Sequence, residues 1–289
     1  MTKHKNSRQL PVIPAGIRTH DNSMTSAFRR CPLLYYYTHI LGKTSKAHAS
    51  ALNYGGLMHV GLKIWYEDRD LEKACQAMLS VEWEDPIDDF RTRDRCVRKL
   101  VDYTEYYGEE ENWIDRILLN ETPFEISASD GFRYGGKMDL LVLWHGKPWV
   151  MDHKTTARYG SDYFDQFVNS SQMAGYVWAA TQLHGEQVAG VIINCIVTHK
   201  VPKPIEQQVH RQAIMYSPEK IEEWKRSQIY DYHQIHQAIE ANYFPPRWDN
   251  CINKFGKCAA FDVCKVPQKN RGDMLDETFI DQEWNWMDS

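Results

Sequence analysis

From Ser23 to Tyr37 a Ser/Thr-type cap is followed by Phe28, Leu33, Leu34 and Tyr37 at helical intervals. Pro32 has no amide proton to give, so this helix begins or kinks there. Gly55-Gly56 precedes a second periodic segment, Leu57 to Tyr66, which puts His59 in its first turn. Leu71 to Val81 and Asp88 to Tyr107 repeat the pattern, the latter with one basic face. The period changes after Glu121. Pro123 to Ser129, Phe132 to Trp144 and Pro148 to Lys154 read as strands, joined by a hairpin signal at Asp130-Gly131 and a tight turn at His145-Gly146-Lys147. Phe164 to Leu183 is helical and stops at His184-Gly185. Val188 to Thr198 is apolar and β-branched, as a buried strand is, and Gln207 to Tyr216 alternates like its neighbour. Ser217-Pro218 opens a long helix to about Tyr243, ended by Pro245-Pro246. Helices, a meander, then helix, strand, strand and helix predict a mixed α/β domain behind a flexible lead-in over residues 1–22.

Composition narrows the class. Of 289 residues, 43% are hydrophobic and 25% charged, as in soluble globular proteins. A net charge of -5 excludes attraction to nucleic acid through a global basic field. The local run Arg91, Arg93, Arg95, Arg98 and Lys99 reads as a solvated helix face, with phosphate binding as its alternative. No apolar stretch approaches the roughly 20 residues a membrane span needs. Met1 to Arg8 is polar and basic with no apolar region behind it, so no secretory leader is expected. The expected compartment is the reducing cytoplasm, where clustered cysteines bind metal rather than each other. Cys75, Cys96 and Cys195 lie in apolar contexts and read as core. No Walker-type phosphate loop is present, so no ATP motor is expected.

Two groups of residues carry chemistry. Asp139 closes Tyr134-Gly-Gly-Lys-Met-Asp, and Asp152 closes the apolar run on the next strand, so a hairpin can set them side by side. Lys154 is two residues past Asp152 and shares its face. Two carboxylates suit Mg²⁺ or Mn²⁺, and a lysine beside them suits phosphodiester hydrolysis. A surface strand with an accidental ion pair is the bland alternative, but an apolar run ending in a carboxylate is expensive to bury without use. The second group is Cys251-x₆-Cys258-x₅-Cys264, with Cys31-Pro32 about 220 residues upstream. Four thiolates bind Zn²⁺ or a [4Fe–4S] cluster, and the spacing lacks the paired C-x-x-C of zinc ribbons. Free thiols are the remaining reading.

Gly55-x-x-x-His59, Gly136-x-x-Asp139, Asp152-x-Lys154 and Gln172-x-x-x-Tyr176 occur in that order. In that order they resemble the RecB-like branch of the PD-(D/E)XK nuclease superfamily, over roughly residues 24–265. The resemblance implies a restriction-endonuclease-like core, a central mixed sheet flanked by helices, in one domain over 23–265. A helical N-terminal part and a Cys-rich C-terminal part complete it, with residues 266–289 as a tail. It implies His59, Asp139 and Asp152 as ligands of Mg²⁺ or Mn²⁺ and Lys154 as the catalytic lysine. Glu121, just before the first strand, is the implied additional acid, with Glu125 as alternative. Gln172 and Tyr176, four apart on one helix face, would look onto the substrate strand. The cysteines are similar to those of the iron–sulfur members, AddB-type nuclease domains and CRISPR-associated exonucleases. That likeness implies that Cys31, Cys251, Cys258 and Cys264 hold a [4Fe–4S] cluster, with Zn²⁺ as alternative. The spacing between Cys251 and Cys258 is wider than in that branch.

The implied activity is metal-dependent DNA cleavage, first as an exonuclease on single-stranded ends and second as an endonuclease or flap nuclease. Recombination and repair, phage replication and CRISPR-type processing are the implied settings. A non-catalytic DNA-binding or assembly protein of the same fold is the rival, against which Asp139, Asp152 and Lys154 argue. A small zinc-stabilised protein that binds a partner is a third reading. Tyr35, Tyr36, Tyr37 and Trp178 are candidates for stacking on unpaired bases, with core packing as their alternative. Oligomeric state is left open.

Overall fold

The computed structural model describes residues 19–45, 49–83, 90–108, 114–128, 131–201, 203–253, 256–282, 285 and 287. Residues 1–18 of the expected lead-in, and Asp130 of the expected hairpin turn, lie outside the described residues. The chain begins with β1 (Thr19–His20) and α1 (Asn22–Arg30), whose N-terminus is capped by Asp21 accepting from Met24 N at 2.7 Å. Cys31 breaks the helix in an extended conformation, and Pro32 starts α2 (Pro32–Tyr35), which runs into one π-helical turn, Tyr36–Ile40. β2 (Lys43–Ser45), α3 (Ala49–Asp68), α4 (Leu71–Ser80) and α5 (Arg93–Tyr107) follow. The meander is β3 (Ile114–Ser127), β4 (Arg133–Trp144) and β5 (Lys147–Thr156).

After the meander come α6 (Asp165–Val168), α7 (Ser171–His184), β6 (Gly190–Val197), β7 (Val209–Met215) and α8 (Pro218–Glu240). The C-terminal part carries β8 (Ile252–Asn253), β9 (Gly256–Lys257), α9 (Phe261–Lys265), α10 (Arg271–Thr278) and β10 (Phe279–Asp281).

Five strands run in the order β1-β4-β5-β6-β7, and β3 pairs with β4. β5 and β6 are parallel and the β3-β4-β5 meander is antiparallel, so the sheet is mixed. One face packs on α7 and α8, where Val150, Val191, Ile193 and Ile214 meet Met173, Val177 and Trp224. The other packs on α3, α4 and α5, where Leu140, Met151, Ile192 and Ile196 meet Met58, Leu62, Met78 and Leu100. A third core joins the two ends of the chain: Phe28, Leu34 and Tyr35 pack with Ile235, Phe244, Val263 and Leu275.

The β3–β4 pairing shifts register between Ile114 and Arg116 and between Ile117 and Leu119, and the sheet is irregular again beside Asp139. Tyr134 and Met138 face α7, whereas Leu140 and Val142, at positions of the same parity, face the opposite helices. Strand side chains alternate strictly, so the pleat changes phase at Asp139. Opposite it, between the paired positions Asn120–Leu140 and Thr122–Met138, stands Glu121 with φ 46°. Pairing of β4 with β5 runs from Trp144 only to Leu140, which faces Met151. Beyond that point the two strands separate, and Asp139 and Asp152 lie at the mouth of the split.

Several boundaries differ from expectation. α3 starts before Gly55-Gly56, so His59 lies in mid-helix rather than in a first turn. Glycine is tolerated there because α3 presses on β5: a Cβ on Gly55 would stand 3.2 Å from Thr155 Oγ1. β3 starts at Ile114, so Glu121 is inside the strand rather than ahead of it. The basic run is largely structural. Arg93 donates to the carbonyls of Leu79 and Val81 at 2.9 and 2.7 Å, Arg95 donates to that of His199 at 2.8 Å, and Lys99 is buried against Gln208. Among the described residues no helix is long and apolar enough to cross a membrane.

Candidate active site

The close approach of α3 to β5 carries His59 over the split in the sheet. Its Nδ1 lies 3.0 Å from Glu121 Oε1 and 3.4 Å from Asp139 Oδ1. His59, Glu121 and Asp139 form a group whose ligand atoms all lie within 4.8 Å of one another. Asp139 is fixed by the backbone amide of His153, which donates to its Oδ2 at 2.6 Å across the separating strands. Lys137, two residues before Asp139, pairs with the other oxygen of Glu121 at 2.9 Å.

Asp152 and Lys154 reach the same place from the α7 face. Lys154 Nζ lies 2.7 Å from Asp152 Oδ2 and donates to Gln172 Oε1 at 3.3 Å. Gln172 Nε2 in turn donates to Tyr176 Oη at 3.1 Å, one helical turn along α7. The approach of Lys154 to Asp152 is off hydrogen-bond alignment, so Asp152 Oδ2 is a buried carboxylate oxygen with a cationic neighbour and no aligned donor.

Charge sets the protonation pattern. Burial opposes a charged His59, but Asp139 and Glu121 outweigh it and raise its pKa to about 10. Burial also opposes ionised Asp139 and Glu121, and His59 outweighs it, holding both below the usual carboxylate range. Asp152 goes the other way. Burial, aided by the Asp139 charge, lifts it to about 6 against the pull of Lys154. Burial weighs against the Lys154 ammonium, yet Asp152 and Asp139 raise its pKa above the ordinary value. Lys154 is therefore a cation in this arrangement, suited to orienting and neutralising groups. Three carboxylates and an imidazole around an under-satisfied buried oxygen are the donor set that a hard divalent cation takes. A cation entering there would replace the proton and ammonium that now neutralise Glu121 and Asp139.

Behind the site, on the α3–α5 face, a buried polar network holds β5. Asn194 Nδ2 lies 2.8 Å from His153 Nδ1 and 3.0 Å from Tyr103 Oη. Arg211 donates to Asn194 Oδ1 at 3.0 Å and to Tyr103 Oη at 2.6 Å, and its guanidinium lies 3.5 Å from the Tyr107 ring centroid. Burial lowers the His153 pKa to about 4, so the ring is neutral and fits an acceptor role toward Asn194.

The four cysteines converge as well. Cys31, Cys251, Cys258 and Cys264 line one small cavity with Leu34, Arg247 and Phe261. Cys31 is presented by the break between α1 and α2, and its Sγ accepts from Arg247 N at 3.4 Å. Cys258 N donates to Cys251 O at 2.8 Å. Among the described residues, His59, Glu121 and Asp139 are the set of three ligand atoms that all come within 4.8 Å of one another. Cys96 and Cys195 are buried, and Cys75 packs at the edge of the core that holds Cys96.

The family resemblance implies His59, Asp139 and Asp152 as metal ligands and Glu121 as an additional acid. The structure sets His59 and Asp139 in one cluster, with Glu121 as the third member and Asp152 beside it, held by Lys154. Glu125 is elsewhere, paired with Arg133 at 3.1 Å. Lys137 has no motif of its own, although a period of two from Asp139 puts it on the acidic face. The Asn194–Arg211 network had no sequence signal. Tyr35, Tyr36, Tyr37 and Trp178 are all buried and cannot stack on a base.

Carboxylates, an imidazole and a lysine meeting at a split mixed sheet define the class: an α/β nuclease. The chain belongs to the PD-(D/E)XK nuclease superfamily, whose family model matches residues 23–265. No curated protein matches it. Among solved structures it is similar to a candidate exonuclease from Eubacterium rectale, at 12% identity over 86% of this chain and 87% of that one, with a TM-score of 0.50. It also matches the protein SSO0001 at 12% identity over 81% of each chain, with a TM-score of 0.33 that carries no argument. At such identity the likeness to the first shows the fold.

Proposed function

We propose that this nuclease is a divalent-metal-dependent deoxyribonuclease acting on single-stranded DNA ends. The observation that carries the reading is the cluster of His59, Glu121 and Asp139 beside the Asp152–Lys154 pair. The three acids Glu121, Asp139 and Asp152 and the histidine His59 would hold Mg²⁺ or Mn²⁺. Such an ion supplies an activated water and neutralises charge at the phosphate. The chain's own groups do the rest. Lys154, oriented by Asp152 and Gln172, stabilises charge that develops on the phosphate oxygens. Gln172 and Tyr176 keep that ammonium in register by their mutual hydrogen bond. His153 and its network hold the amide that orients Asp139.

The second part of the proposal concerns Cys31, Cys251, Cys258 and Cys264, which would hold a [4Fe–4S] cluster. Four thiolates around one cavity are the right donor set. Zn–S bonds of about 2.3 Å in a tetrahedron would bring the sulfurs to about 3.8 Å of each other. Zn²⁺ is the alternative occupant of the same four thiolates. The cluster's service would be structural: it ties α1 to the C-terminal part across about 220 residues, restricting the unfolded chain.

The test is a time course on end-labelled linear and on circular single-stranded DNA with Mn²⁺, comparing wild type with Lys154→Ala. Loss of the linear strand alone, abolished by the substitution, is the expected result. Cutting of the circle, abolished by the same substitution, would make the enzyme an endonuclease. Absence of any Lys154-dependent cleavage would leave a DNA-binding protein of nuclease fold.

A further inference from the structure

The face of the sheet that carries Asp152 and Lys154 extends past them. Lys154 is in register with Cys195 on β6, and Cys195 with His210 on β7. Residues paired across a ladder project to the same side, so Lys154, Cys195 and His210 form one row. His210 is roughly 10 Å from Lys154, twice the strand spacing of about 4.8 Å. Above this row lies the segment that leaves β5. Tyr163 lies near the Cys195 thiol and feels the charge of Asp152. Tyr159 stacks on the His210 ring with centroids 4.1 Å apart and planes within 3°. His210 is itself braced, its Nε2 lying 3.3 Å from the Gln207 carbonyl.

Tyr159 is 38% exposed. Of the exposed aromatic residues among those described, Tyr106, Tyr159, Tyr230, Tyr243 and Trp248, it follows directly from the strand that bears Asp152 and Lys154. A phosphate-binding patch would not carry Asp162 and Asp165 in the same segment, although Arg158 is exposed beside Tyr159. A stacking platform tolerates those acids, because it recognises the face of a base rather than its backbone. A flat ring fixed in orientation by a second ring, in the row of the lysine, meets that need.

We propose that the Tyr159–His210 pair is a stacking subsite for an unpaired nucleobase of the DNA strand being cut. The proposal rests on the nuclease reading above and deepens it, because a base can reach an aromatic face only when it is out of a duplex. The subsite would therefore select single-stranded over double-stranded substrate.

The test is binding of a labelled short oligothymidylate, by fluorescence anisotropy in EDTA, to wild type, Tyr159→Ala, Tyr159→Trp and His210→Ala. Loss of one base stack is worth about 5- to 100-fold in affinity. Tyr159→Ala is expected to weaken binding by that factor and to raise KM on the single strand similarly, with kcat within about twofold. Tyr159→Trp should bind at least as tightly as wild type, His210→Ala should show part of the loss, and duplex binding should not move. A strand of abasic sugars should bind wild type as weakly as oligothymidylate binds Tyr159→Ala. The proposal is overturned if Tyr159→Ala binds the single strand within twofold of wild type, or if it loses duplex and single strand alike. Failure of the nuclease reading would show separately, as cleavage that survives Lys154→Ala, because the anisotropy is read without turnover.

Discussion

Glu121 occupies a left-handed backbone conformation, φ 46°, inside β3. For a residue with a Cβ this conformation costs about 1–2 kcal/mol, and glycine escapes that cost. Glu121→Gly and Glu121→Ala both remove the carboxylate and leave His59 and Lys137 with the same lost partner. The difference between the two variants therefore isolates the backbone. In an ordinary strand position glycine is less stable than alanine by roughly 0.5–1 kcal/mol. Here the order should reverse, with Glu121→Gly more stable than Glu121→Ala by about 1 kcal/mol. For 289 residues at about 2.1 cal/mol/K each, that is a difference of roughly 1.5–2 °C in melting temperature. Urea denaturation and thermal melts followed by circular dichroism give both numbers. An alanine variant as stable as the glycine variant, or more stable, would refute the reasoning. Neither variant should cleave DNA. Strain retained at a residue whose side chain completes the acidic cluster is the pattern expected where function, not stability, fixes the residue.

Lys154→Ala should lower kcat by about 10²–10³ while far-UV circular dichroism and melting stay near wild type; a loss below tenfold would remove the lysine from the chemistry. Lys137→Met removes a cation that now competes for Glu121, so Mn²⁺ affinity measured by calorimetry should rise; unchanged or weaker binding would mean that Lys137 does not occupy the acidic site. Cys258→Ala should abolish the visible absorbance of the anaerobically purified protein and lower stability by as much as about 5 kcal/mol, the scale for cross-linking so long a loop. A colourless wild type that melts like the variant would contradict the cluster.

The elements were legible where the chain obeys one period over many residues. α4, β6 and α8 fall within a few residues of their expected bounds. The expected helix over Phe164 to Leu183 divides into α6 and α7, because Ser170 starts a new cap, accepting from Met173 N at 3.4 Å. Tertiary contact overrode local preference at α3, where Gly55 is needed for the approach to Thr155 and so stands inside the helix it was expected to precede. Asp139, Asp152, Lys154, Gln172 and Tyr176 were visible as motifs, since each depends on spacing along one strand or helix. Glu121 was placed at a strand edge because no local pattern foretells a phase change in the pleat. The Tyr159–His210 stack and the Asn194–Arg211 network join residues far apart in sequence, and such pairings become visible only once the strands are in register.

The central claim is that a divalent ion held by the His59–Glu121–Asp139 cluster drives phosphodiester cleavage. Its most direct test is Mn²⁺ titration of wild type and Asp139→Asn, following metal binding by calorimetry and cleavage of linear single-stranded DNA in the same buffer. The account predicts saturable Mn²⁺ binding with cleavage rising in parallel in the wild type, and loss of both in Asp139→Asn. Cleavage that persists in EDTA, or an Asp139→Asn protein that binds Mn²⁺ and cuts like the wild type, would contradict it.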